Sequence, residues 1–131
     1  MQPSAKALIF RIVTILYLVA VGYLCFANMN NLPDVPRTFL GLEMDKIAHF
    51  CMFFPFPVLG YLSLDRKGSN IPESIALVIT ICAVGCIFAG LTELIQGMMP
   101  YRTEDIRDYK ADVIAMAISS AAAFIYDRLR K

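Results

Sequence analysis

Apolar residues fall into four long blocks parted by short charged stretches, with no sustained alternation of the kind a half-buried strand would show. The first block, Ile12 to Ala27, carries no charge, and Ala7 to Phe10 extend it if Arg11 snorkels to an interface, which predicts a spanning helix over residues 7–27. The second, Ile47 to Leu64, is free of charge unless His49 takes a proton. Pro55 and Pro57 stand in its middle and each removes a backbone donor, so a kinked helix over 47–64 is expected. The third, Ile75 to Met99, has Glu93 as its one formal charge and predicts a helix over 75–99. The fourth, Val113 to Tyr126, has 14 uncharged residues, short of the roughly 20 that cross a hydrocarbon core of about 30 Å. A span over 110–126 follows if the helix begins near Tyr109, with Lys110 at the interface and Asp112 turned toward the other helices; a half-span or surface-lying helix is the alternative. The pattern as a whole predicts an all-α fold, one domain over residues 1–131 built as an integral membrane bundle of four helices. Small residues at Gly85, Ala89 and Gly90, and again at Ala115, Ala117, Ser119, Ser120 and Ala121 to Ala123, suit close helix contact.

Composition agrees with the pattern. Hydrophobic residues make up 58% of the chain and charged ones 18%, against roughly 45 to 50% and about a quarter in soluble domains. The net charge of +1 leaves no polybasic field, which excludes a nucleic-acid binder. Four cysteines set inside apolar runs do not make a disulfide scaffold. Lys6 and Arg11 ahead of an apolar run imitate a signal peptide, but the run is too long for one and Leu24 before Cys25 is a poor cleavage context, so a retained helix is expected. Basic residues bias the orientation: Lys6, Arg11, Arg66, Lys67, Arg128, Arg130 and Lys131 fall on one side, whereas Arg37, Lys46, Arg102, Arg107 and Lys110 on the other are diluted by acids. Both termini are then cytoplasmic in a multi-pass cell membrane protein, with loops 28–46 and 100–111 outside. The Asn-rich stretch followed by Pro33 and Pro36 reads as an irregular loop.

Candidate chemistry gathers at the outer boundary. Asp45, Lys46 and His49 open the second helix, where Asp45 is placed to cap it, Lys46 can balance an anion and His49 can exchange a proton near neutral pH. Glu93 and Gln96, three residues apart on one helical face, put a carboxylate within a span, where it needs a partner or a proton. Pro100 ends the third helix, and Arg102, Asp108 and Asp112 follow in a charged return; Arg102 can fork onto a phosphate or carboxylate, or clamp Glu93 or Asp108. For each group a bland reading competes: a cap with an interfacial His, a buried bond locking two helices, a solvated loop. Cys82 and Cys86 lack partner ligands and read as packing residues. A triad of His49, Glu93 and an Asp, one imidazole and two acids from different helices, is a weak ligand set, so neither a metal nor a cofactor is expected.

The strings DKIAHF (Asp45 to Phe50), ELIQ (Glu93 to Gln96) and PYR (ending at Arg102), in this order and spacing, resemble the VanZ-like family of small bacterial multi-helix membrane proteins over about residues 40 to 125. Two departures stand out. The family's Tyr four residues after the His is Phe53 here. The final Asp, Asn and Gly motif is degraded, and two registers remain open: Asp108 with Asp112 and Ala115, or Asp112 with Met116 and Ser119.

The resemblance implies a non-enzymatic protein of the bacterial cell envelope, in a family whose founding member is associated with resistance to the lipoglycopeptide teicoplanin. The expected ligand is an amphiphile, such as a membrane lipid, a lipid-linked cell-wall precursor or a lipoglycopeptide, held at a cluster of Asp45, Lys46, His49, Glu93, Gln96, Arg102, Asp108 and Asp112. A membrane-embedded hydrolase or transferase acting on a lipid headgroup through His49 and Glu93 is the alternative, though no nucleophile motif accompanies them. A purely structural role for the cluster and a homo-oligomer also remain open.

Overall fold

The computed structural model describes residues 2–28, 36–64, 66 and 70–130. Residues 29–35 of the anticipated irregular loop, and Lys67 and Lys131 of the basic bias, lie outside those residues. The described chain is predominantly helical, with α1 over Ala5–Phe26, α2 over Met44–Phe53, α3 over Pro55–Leu62, α4 over Ile71–Gly97 and α5 over Ile106–Leu129. Capping residues set three of the starts. Ser4 Oγ accepts the Ala7 N–H, Asn70 Oδ1 accepts the Glu73 N–H, and Asp105 Oδ1 accepts the Arg107 N–H.

α1, α4 and α5 have 22, 27 and 24 residues and are long and apolar enough to cross a membrane. α5 starts at Ile106 rather than near Tyr109. The extra turn removes the shortfall anticipated for this helix, because 24 residues at a rise of 1.5 Å reach about 36 Å. The prolines do interrupt the second helical block. Pro55 and Pro57 have no N–H to donate to the carbonyls one turn back, and the helix is divided at Phe54. Phe54 keeps helical angles (φ −54°, ψ −42°) and its N–H still reaches Phe50 O at 3.0 Å, so α2 and α3 join without a loop.

One element departs from an all-α expectation. Residues 38–43, anticipated as loop, form a two-stranded antiparallel hairpin, β1 over Thr38–Phe39 and β2 over Leu42–Glu43, with Thr38 opposite Glu43. Leu40 and Gly41 occupy the turn with φ of 51° and 79°, the left-handed pair that a tight hairpin needs. The hairpin delivers Glu43 to the start of α2.

α5 is the central helix, packed against α2, α3 and α4, while α1 lies on α3 and α4. Close approach rests on a small residue. A Cβ added at Gly85 would stand 2.5 Å from Met116 Sδ and 2.8 Å from the Phe56 ring. Gly85 and Ala89 of α4 are buried, as are Ala115, Ser119, Ser120 and Ala123 of α5, whereas Ala117, Ala121 and Ala122 face outward.

The distribution of polarity is reversed relative to a soluble bundle. His49, Glu93, Asp108, Asp112 and Asp127 are buried, while Ile15, Leu16, Val19, Ile79, Ile87 and Leu94 are more than half exposed. In water such a surface would be costly at about 25 cal/mol per Å²; against hydrocarbon it is not, and the backbone of each long helix is satisfied internally. Along α5 the buried positions Asp108, Asp112, Ala115, Met116, Ser119, Ala123 and Asp127 recur every three or four residues, so one stripe carries carboxylates at both ends and small or apolar residues between.

Candidate functional site

At the end of the bundle where α2 and α5 begin and α4 finishes, one residue joins three elements. Asp105 caps α5 through the Arg107 N–H, accepts a 2.9 Å bond from Lys46 of α2, and gives its own N–H to Glu93 Oε1 of α4 at 2.7 Å. Lys46 sits among three carboxylates, with Nζ 2.8 Å from Glu43, 2.9 Å from Asp105 and 2.8 Å from Asp108 Oδ1. Burial works against the Lys46 ammonium, and Asp108, Glu43 and Asp105 offset that cost by direct contact. The same Lys46 contact, with the Arg107 N–H, holds Asp105 well below the usual carboxylate range.

His49 lies one turn beyond Asp45 and is 2% exposed. Each ring nitrogen faces a carboxylate of α5. Nδ1 is 3.0 and 3.3 Å from the two oxygens of Asp112, which is fully buried, and Nε2 is 3.7 Å from Asp108 Oδ2. The spacing of Asp108 and Asp112, four residues apart, puts both on the face that meets α2. Asp45 does not cap α2 as anticipated. The N-cap is Glu43, which makes no side-chain cap bond, and Asp45 stands in the first turn. From there an Asp45 oxygen, a His49 ring nitrogen and an Asp108 oxygen all lie within 4.8 Å of one another.

The two remaining residues of the anticipated cluster serve a different purpose. Gln96 Nε2 donates to Cys25 O at 2.9 Å, and Arg102 donates to Leu24 O at 2.9 Å and to Ala27 O at 3.4 Å. Tyr101 donates to Phe26 O at 2.8 Å. These carbonyls belong to the last turn of α1, which has no later N–H to satisfy them. Gln96 and Arg102 thus tie α1 to the end of α4, and Arg102 clamps neither Glu93 nor Asp108. A direct anion clamp by Lys46 and Arg102 is therefore not assembled: Lys46 is held by three carboxylates, and Arg102 turns Nη2 to the α1 carbonyls.

The anticipated cluster is divided accordingly. Asp45, Lys46, His49, Glu93, Asp108 and Asp112 stand together, joined by Glu43 and Asp105, which sequence reasoning did not single out. The signal for Asp105 was its place just before the α5 helical pattern, where an Asp caps. Beside this group an apolar groove of about 400 Å³ runs between α2 and α5, lined by Leu42, Ile47, Phe50, Ala111 and Ile114, with Lys46 at its edge. Among hydroxyls that a nucleophilic mechanism would need, Thr92 donates to Ala89 O within its own helix, and Ser119 Oγ is buried without a hydrogen-bond partner.

A second buried polar group lies at the opposite end and was not anticipated. Asp127, fully buried, accepts from Tyr61 Oη, from Ser74 Oγ at 2.6 Å and from the Arg128 guanidinium, while Arg130 Nη2 stands 3.7 Å away. Arg130 also lies over the Tyr61 ring, 5.5 Å from its centroid.

Comparison with known proteins adds one distant likeness. The chain is 28% identical over 117 residues to an uncharacterized protein of the fission yeast Schizosaccharomyces pombe, an alignment covering 88% of this chain and 63% of the yeast protein. The chain therefore spans less than two thirds of the length of that relative. No family model matches the chain, and no solved structure matches it.

Proposed function

We propose that the chain is a VanZ-like integral membrane protein that crosses the cell membrane four times, with both termini cytoplasmic, and binds the headgroup of a membrane amphiphile beside His49. The observation that carries this reading is the groove between α2 and α5. Its lining is apolar throughout, along Leu42, Ile47, Phe50, Ala111, Ile114 and the aliphatic stem of Lys46, suited to an acyl chain, while the Lys46 ammonium stands among Glu43, Asp105 and Asp108. A tail in the groove would set its headgroup against Asp45, Lys46 and Asp108.

Four crossings are supported by length. α2 and α3, with 10 and 8 residues joined through Phe54, together rise about 28 Å, close to a hydrocarbon core. The orientation is supported by Lys6, Arg11, Arg66, Arg128 and Arg130, which belong to the Asp127 end of the bundle. An acyl chain in an apolar groove is common to a membrane lipid, a lipid-linked cell-wall precursor and a lipoglycopeptide such as teicoplanin, and of these the membrane lipid is the ligand proposed.

The test is native mass spectrometry of the protein released from nanodiscs of bacterial lipid extract, compared with Ala111→Trp, which fills the groove. A retained lipid in the wild type and its loss in the variant is the expected result. Equal retention by both, or none by the wild type, overturns the reading. A second reading, a lipid-headgroup hydrolase, is favoured by the Asp112 and His49 pair, since a buried carboxylate on Nδ1 orients an imidazole as a base. Turnover of headgroup-labelled lipid by the wild type, abolished in His49→Gln, would replace binding with catalysis.

A further inference from the structure

We propose that Asp45, His49 and Asp108 form a binding site for one divalent cation of the zinc or manganese type. The site stands on its own geometry whether or not a lipid is the ligand.

The donor set comes from two helices. Asp45 and His49, four residues apart, share a face of α2, and Asp108 faces them from the first turn of α5. Their donor atoms lie within 4.8 Å of one another. Neighbouring donors on a metal with bonds of about 2.1 Å are about 3.4 to 3.6 Å apart at tetrahedral to trigonal angles. The separation of His49 Nε2 from Asp108 Oδ2, 3.7 Å, is close to that spacing and too long for a hydrogen bond. A small rotation of Asp45, which is exposed, closes the third side.

The surroundings favour a metal over a proton. An ionised Asp112 can only accept from His49 Nδ1, and a neutral imidazole with its proton there turns the Nε2 lone pair toward Asp108. A carboxylate behind a histidine in this way is the usual outer support of a metal-bound imidazole. Lys46 engages Asp108 through Oδ1 and leaves Oδ2 facing His49. Carboxylates also exceed cations here. Glu43, Asp105 and Asp108 share Lys46 and Arg107, Asp45 and Asp112 stand on the two sides of His49 and Asp108, and Glu93, 4% exposed, keeps Oε2 buried without a hydrogen-bond partner. An unbalanced buried negative charge is costly unless a cation is supplied. One imidazole nitrogen with carboxylate oxygens suits Zn²⁺ or Mn²⁺ better than a soft monovalent ion. Three protein donors leave positions for water or for a headgroup oxygen, an affinity for anions that Lys46 and Arg102 do not provide.

The experiment is equilibrium dialysis of the detergent-solubilised full chain, stripped with chelator, against Zn²⁺ and separately Mn²⁺, with bound metal counted by elemental mass spectrometry. Asp45→Asn and His49→Gln are compared with the wild type and with Glu73→Gln at the opposite end, and gel filtration and helicity confirm that each is folded. The expected result is about one ion per chain in the wild type and in Glu73→Gln, with affinity weakened about tenfold or more in Asp45→Asn and His49→Gln. Because Asp45 is exposed, its variant keeps the test readable should His49→Gln fail to fold. Less than about a tenth of an ion in the wild type, as a proton shared between Asp45 and Asp108 would give, overturns the proposal. So does binding that neither variant weakens.

Discussion

The two ends of α5 each bury an aspartate on the same stripe of the helix, and the two are treated differently. At one end Asp127 meets two hydroxyls and a guanidinium, drawn from α3, α4 and α5, with a second guanidinium 3.7 Å away. Its charge is matched and its oxygens are occupied. At the other end Asp112 and Asp108 face the two nitrogens of one imidazole, Asp45 stands beside them, and Lys46 is shared among three acids. A buried carboxylate by itself therefore does not mark a site. Saturation separates the two ends: one is a lock between helices, the other has more acceptors than the protein fills.

The largest effect should come from breaking the lock. Asp127→Ala removes the carboxylate that accepts from Tyr61, Ser74 and the Arg128 guanidinium, and removing one member of a buried pair costs about 3 to 5 kcal/mol. Thermal unfolding of the detergent-solubilised protein should show a large fall in midpoint. Metal bound per folded molecule should be unchanged, because no donor atom is touched. A variant as stable as the wild type would mean that the Asp127 contacts are not a lock.

Next comes the region between the ends. Gly85→Leu forces a side chain against Met116 and Phe56, and while the Met116 side chain can yield, the Phe56 ring is stacked on Phe88 with centroids 6.2 Å apart. Overpacking of this kind costs about 1 to 3 kcal/mol. Since α4 and α5 are pushed apart along the stripe, both ends should suffer, with lower stability and weaker cation binding together. A variant that loses stability with full cation affinity would show the two ends to be mechanically independent.

Asp112→Asn sharpens the contrast from the site side. The amide keeps the shape and a carbonyl oxygen for His49 Nδ1 but removes the charge that supports the imidazole. Cation affinity should fall about 10 to 100-fold, while the unfolding midpoint moves little, at a cost of about 1 kcal/mol for the weakened bond. The outcome to watch is the ratio of the two changes. A fall in stability as great as that of Asp127→Ala, with cation affinity intact, would make Asp112 a second lock.

The helices were legible from charge-free length, and the division at Phe54 from Pro55 and Pro57, because the backbone donor removed by a proline does not depend on context. The hairpin at 38–43 was not, since Leu40 at positive φ is a conformation that sequence gives little reason to expect. In the site, His49, Glu93, Asp108 and Asp112 stood out because charge near an apolar run is costly wherever it falls. Gln96 and Arg102 were assigned to the wrong neighbours: their partners are α1 backbone carbonyls, and backbone partners leave no trace in residue identity. Asp127 was hidden by Arg128 and Arg130, which made it look like part of a solvated end. The stripe running from Asp112 through Met116, Ser119 and Ala123 does extend to it at helical spacing.

The smallest effect belongs to the rim of the site, where charge is partly exposed and salt can reach it. Asp105→Asn keeps a competent cap for α5, since Asn caps as well as Asp, and removes one carboxylate from Lys46. Lys46 holds the Asp105 carboxyl below its ordinary value, so the folded state binds this proton more weakly than the unfolded chain. The stability this contributes is therefore present above the ordinary aspartate value of about 4 and is lost as the pH falls through the lowered one. Near neutral pH the wild type should exceed Asp105→Asn by a small, constant margin in unfolding midpoint. The margin should shrink below about pH 4 and should also shrink in about 1 M salt, where the screening length is about 3 Å. The Asp127 lock, fully buried, should keep its advantage over Asp127→Ala in the same salt. A margin at Asp105 that ignores both acid and salt would assign its effect to the helix cap rather than to the ion pair, and would remove Asp105 from the electrostatics of the site.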